Sequence, residues 1–169
     1  MSKIKLLAGL LILLPSMAVA TVTHVTLWEA LPGKSAEMMA TAAKAVELNK
    51  KLGMQAVTAV DSRGRLHLAM AFEDWAQWGA YQAKAAADAD MQAFVQGYST
   101  NPSAVQLDSF MLNQPLPGDP GSVYNVFIWE SYEGRSADMM TKAMEAAAIH
   151  QADGVSISVN VDQLGRLHY

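Results

Sequence analysis

Two glutamates and two histidines recur in matched settings along this 169-residue chain. Glu29 follows Trp28 and Glu130 follows Trp129, while His67 and His168 each close the block Gly-Arg-Leu-His. Alternation puts the Trp and the Glu of each pair on opposite faces of a strand, and either carboxylate can serve as the general base of a cofactor-free oxygenation if burial raises its pKa. The structural alternative is a strand-end glutamate in solvent. Histidine changes charge near neutral pH, so His67 or His168 inside a cavity would be a proton-exchanging group. The plainer role is a hairpin-end histidine bonded to the backbone or, for His67, to Asp61.

Metal chemistry has little sequence support. None of His24, His67, His150 and His168 stands in a His-x-His or His-Glu-x-x-His spacing, and the chain has no cysteine. A dedicated zinc site is therefore not expected, thiol chemistry is excluded, and no cofactor is implied. The chain has 11 methionines, which raises copper handling. Met38-Met39 and Met139-Met140 are adjacent on helices, however, and neighbours on a helix point about 100° apart, so neither pair can grip one ion. Core packing accounts for them. Glycine-rich phosphate loops and Gly-x-Ser-x-Gly elbows are absent.

The elements that must position these residues follow from an internal repeat. Laying Asp162 on Asp61 aligns residues 125–169 with residues 24–68 without a gap, with 17 identities in 45 positions. Two copies are too few for a solenoid, which needs at least three stacked units, so a duplicated domain is the better reading. In the first copy, residues 25–30 form a short apolar strand. Pro32-Gly33 turns the chain, Ser35 is placed to cap a helix, and Lys50-Lys51-Leu52-Gly53 ends it. Residues 54–60 make a second strand, Gly64 a hairpin turn, and residues 66–73 a third strand. Asp74 caps a second helix that breaks near residues 88–90 and resumes through Phe94 to Gly97. Residues 104–112 form a fourth strand, and residues 114–122 (QPLPGDPGS) a Pro/Gly linker. The order β-α-β-β-α-β is the split ferredoxin-like arrangement, with strands one and three as central neighbours.

The first twenty residues read as a secretory signal peptide. Lys3 and Lys5 precede an apolar run too short to span a membrane, and Ala18-Val19-Ala20 supplies a cleavage pattern after Ala20. The domains are thus 1–20 signal, 21–113 first copy, 114–122 linker and 123–169 second copy, in a periplasmic or secreted protein. The remaining chain carries 10 basic and 16 acidic side chains. It has no basic stripe for nucleic acid and no polybasic segment for a membrane surface.

LPGKSAEMM (31–39) and AMAFEDWAQWGAY (69–81) resemble the turn and the strand-to-helix junction of the antibiotic-biosynthesis-monooxygenase-like group of dimeric α+β barrels. The resemblance covers nearly all of the first copy and as much of the second as is present. It implies an antiparallel sheet with helices on one face, and a second copy packed sheet against sheet as a single-chain imitation of a dimer. It also implies a ligand cavity between sheet and helices. On that layout Thr26, Trp28, Met70 and Phe72, with Leu68, line the cavity, and Trp75, Trp78 and Tyr81 roof it. Such a pocket suits a flat hydrophobic ligand, the alternative being a filled core. Heme-degrading members of the group use an asparagine on strand one, a tryptophan ending strand three and a histidine on the next helix. Here those positions hold Thr26, Phe72 and no histidine, which disfavours that activity.

The expected protein is thus an exported α+β module that binds a small apolar molecule or serves a structural role. The rival is a cofactor-independent monooxygenase-like enzyme acting on a small hydrophobic or aromatic substrate. The second copy matches the first only as far as Leu68 and reads as a fragment, lacking about 45 residues that would match the rest of the first copy. Its third strand is expected to be too short to bridge strands one and two. Self-association is expected through the open sheet face or the truncated edge.

Overall fold

The structure is a computed structural model that describes residues 21–116, 123 and 125–169. Residues 1–20, expected to be a signal peptide, and most of the expected linker 114–122 lie outside the described residues. Strand β1 (Thr21–Ala30) leads to helix α1 (Ser35–Lys51), strands β2 (Gln55–Val60) and β3 (Leu66–Phe72), helices α2 (Trp75–Ala87) and α3 (Ala89–Thr100), and strand β4 (Ala104–Leu116). A second unit follows, with β5 (Ile128–Trp129), α4 (Ser136–Ala152), β6 (Val159–Asp162) and β7 (Leu167–His168). All strand pairs are antiparallel, in one sheet of order β2-β3-β1-β4-β6-β7-β5. The first four strands have the ferredoxin-like order, with β1 and β3 adjacent at its centre.

Local sequence accounts for most boundaries. Gly33, Gly53 and Gly64 hold positive φ at the turn before α1, the end of α1 and the β2–β3 hairpin, and Gly134, Gly154 and Gly165 do the same in the second unit. Asp74 caps α2 by accepting from the Gln77 amide at 2.7 Å. Asp88 is extended, breaks the helix and caps α3 through the Met91 amide at 2.8 Å. Ser35 does not cap α1. The turn closes through the Lys34 amide on Leu31 O at 2.9 Å, so the helix starts one residue early with Lys34 at its cap.

Three expectations on strand extent are corrected. β1 starts at Thr21, because its first residues pair with both β3 and β4. β4 runs to Leu116, because residues 112–116 reach β6. β7, although only two residues long, does bridge β5 and β6: His168 is opposite Ile128 and Asn160, and Leu167 opposite Trp129 and Val161. A strand needs only a few ladder bonds to join two neighbours when a tight hairpin already holds one of them in register.

Alternation sends Val22, His24, Thr26 and Trp28 of β1 toward the helices, together with Leu66, Leu68, Met70 and Phe72 of β3. One core cluster joins Val22, Met70 and Phe72 to Leu52, Met54 and Tyr81; another joins Leu66 and Ala104 to Met38 and Ala42 of α1. The second unit has its own core, Ala143 and Ala147 of α4 against Val159 and Leu167. The units meet edge to edge along β4 and β6, which makes the sheet continuous. On the helix-free face the second unit approaches the first, with the His168 ring 5.2 Å from that of Phe110 of β4 and Arg166 3.9 Å from Asp108.

Candidate functional site

Trp28 marks an apolar pocket of about 240 Å³ between the sheet and the helices. Its floor is Trp28 with Leu66 and Leu68, one wall is Ala42 and Ala45 of α1, and the other is Phe94 and Tyr98 of α3. Tyr98 meets Trp28 edge to face at 5.6 Å. The Trp28 indole N–H donates to Thr26 Oγ1 at 2.8 Å, which fixes the ring plane from below. Polar groups are few: the hydroxyls of Thr41 and Ser103, 3.4 Å apart, sit among the lining residues. Drug-sized sites span roughly 300–1,000 Å³, so the occupant of this one would be small.

The other residues expected to line the cavity lie elsewhere. In the antiparallel β1–β3 pair, Trp28 is opposite Leu66 while Val22 is opposite Phe72. Trp28 and Phe72 therefore stand at opposite ends of the sheet, about 20 Å apart at strand rise. Met70 and Phe72 are buried in the core cluster with Tyr81, and Trp78 packs against it. Trp75 is 48% exposed and touches Trp78 edge to face. A single cavity cannot contain both sets. Thr26 supports the pocket through Trp28 without lining it.

Glu29 and Glu130 are both exposed. Glu29 lies on the helix-free face, opposite to Trp28, so it does not enter the pocket. Glu130 borders an open polar depression with Ser131, Ser136 and Arg166. Neither has the desolvated setting that a carboxylate base requires.

The two histidine hairpins are superposable in their bonding. Asp61 accepts from the amides of Arg63 and Arg65 at 2.9 and 3.0 Å, and from Arg65 Nε at 2.7 Å. Asp162 accepts from the amides of Leu164 and Arg166, both at 2.9 Å, and from Arg166 Nε at 2.6 Å. His67 Nε2 is 3.4 Å from Asp61, and His168 Nε2 3.0 Å from Asp162. Burial would raise either carboxyl, but these hydrogen bonds outweigh it and hold both below the usual carboxylate range. Each histidine sits at its hairpin end beside the aspartate. No group of three or more His, Cys, Asp or Glu side chains that could hold a metal occurs among the described residues. None of the described helices is long and apolar enough to cross a membrane.

With the geometry in place, comparison with known proteins bears on the fold. No protein-family model matches the chain, and no curated protein matches it. The structure is similar to a solved structure from Fusobacterium nucleatum subsp. nucleatum, described as a "Putative monooxygenase". The TM-score is 0.58 at 12% identity, covering 90% of this chain and 75% of that one. At this identity the likeness is one of fold, and it agrees with a ferredoxin-like α+β class.

Proposed function

We propose that this chain is an exported ligand-binding module of the monooxygenase-like α+β type, built from a duplicated ferredoxin-like unit, that takes a small apolar molecule between its sheet and helices. The observation that carries this reading is the Trp28 pocket, whose walls are almost wholly apolar and whose base ring is held by Thr26. The shared hairpins and the matched glycine turns support the duplication. The signal-like leader supports export, and the exposed edges of the sheet support self-association. A cofactor-independent oxygenation remains the rival because of the name carried by the structural neighbour, but exposed Glu29 does not favour it.

Filling the pocket tests the binding reading. Ala45→Phe should occupy the space opposite Trp28 and reduce binding of an uncharged apolar fluorophore such as N-phenylnaphthylamine at least about tenfold, roughly 1.4 kcal/mol. Unchanged binding would place the ligand elsewhere. Oxygen uptake with an aromatic substrate, abolished by Glu29→Gln, would instead favour the enzyme.

A further inference from the structure

A second feature lies apart from the Trp28 pocket. His24 sits in the middle of β1 on the helix-facing side, and both of its register partners are methionines, Met70 on β3 and Met111 on β4. Directly opposed residues on antiparallel neighbours hold their Cβ atoms about 4.5–5.5 Å apart on one face. Two methionines therefore flank one histidine on the same face of the sheet. Met70 is buried in the core cluster, while Met111 and Trp78 pack against it.

The imidazole is poised for a ligand. His24 Nε2 lies 2.9 Å from Ser109 Oγ, whereas Nδ1 is buried with no partner. When Nε2–H donates to Ser109, Nδ1 carries an unused lone pair inside the protein. The Trp78 indole N–H is also buried without a partner. A buried polar atom left unsatisfied costs about 1–3 kcal/mol, and such atoms in native structures commonly mark an ion, a water or a functional group.

We propose that His24, Met70 and Met111 form a binding site for copper(I), with Nδ1 and two thioether sulfurs as ligands. The donor set is soft and uncharged, which selects a soft cation over zinc or magnesium. It also favours a single positive charge, because a divalent ion would enter an apolar site with no compensating anion. Ser109, by accepting from Nε2–H, would hold the tautomer that presents Nδ1, as outer-shell partners of a metal-bound histidine do. His24 and Met111 are only half-buried, which leaves a route for the ion.

The test is anaerobic titration of the full chain with copper(I) against bicinchoninate, combined with X-ray absorption of the loaded protein. One ion per chain with one nitrogen and two sulfur neighbours is expected, and no zinc uptake. Met70→Leu and Met111→Leu, both near volume-conserving, should each weaken binding at least about tenfold. Ser109→Ala should weaken it about 10–100-fold, the range for outer-shell partners. Met39→Leu, at an exposed helix position, should change nothing. Circular dichroism checks that each variant folds; should Met70→Leu fail, half-buried Met111 carries the test. Failure to hold copper(I), oxygen and nitrogen neighbours only, or full binding by the Met70→Leu/Met111→Leu double variant would overturn the site. So would a water bridging His24 Nδ1 and Trp78 Nε1 in a protein that takes up no copper.

Discussion

The hairpins at Asp61–His67 and Asp162–His168 make the same hydrogen bonds in different surroundings. Asp61 and His67 have side chains 22% and 34% exposed, whereas Asp162 and His168 are at 0% and 5%. The difference comes from β4, which leaves its own unit, pairs with β6 and lays Phe110 on the His168 ring. The tryptophans reverse the contrast. Trp28 sits under α3 against Tyr98, while Trp129 has no described counterpart of α3 above it and is 46% exposed. Repeated sequence therefore reproduces the turn, but burial depends on which element arrives from elsewhere.

The sharpest way to break this comparison is to remove the two aspartates in turn. Asp162→Ala should cost about 3–5 kcal/mol, the range for removing one partner of a buried ion pair. Asp61→Ala should cost about 1–2 kcal/mol, because water can reach the groups left behind. Urea unfolding measures both, and equal losses would end the claim that burial separates the hairpins. Both carboxyls are held below their unfolded value. Their stabilisation is therefore complete above about pH 4 and is lost as pH falls through the folded value. Asp61 carries the larger depression, so Asp61→Asn should flatten the acid side of the stability profile more than Asp162→Asn does.

The tryptophan pair gives the next largest effect. A fully buried Trp replaced by Ala loses about 3–5 kcal/mol, so half-buried Trp28→Ala should lose about 2–3 kcal/mol. Trp129→Ala should lose less than about 1 kcal/mol. Denaturant unfolding with matched m-values decides the order, and a larger loss at Trp129 would overturn it.

The smallest effect on stability is expected at the sheet's last strand. Among the described residues β5 pairs only with β7, and Ile128 and Phe127 are more than half exposed. A free apolar edge is a template for another chain. Ile128→Lys should change stability by no more than about 0.5 kcal/mol and shift light scattering toward smaller species. An unchanged size distribution would point to association through another surface.

What could be read without coordinates was whatever short spacing controls. Gly33, Gly53 and Gly64 stand where the chain must take positive φ, and Asp74 precedes an apolar helical pattern, so turns and helix ends were legible. The element order implied β1 beside β3, because β3 must lie between β1 and β2 in this arrangement. The antiparallel direction of that pair, taken seriously, would also have separated Trp28 from Phe72. The methionines that could be judged from sequence were adjacent ones on helices. Met70 and Met111 flank His24 only through strand register, across 46 and 87 residues of chain. The burial of Asp162, the length of β4 and the bridging role of β7 likewise depend on the meeting of the two units. Local backbone preference is encoded within a few residues, whereas burial is set by whichever distant surface removes the water, and only the tertiary structure decides that.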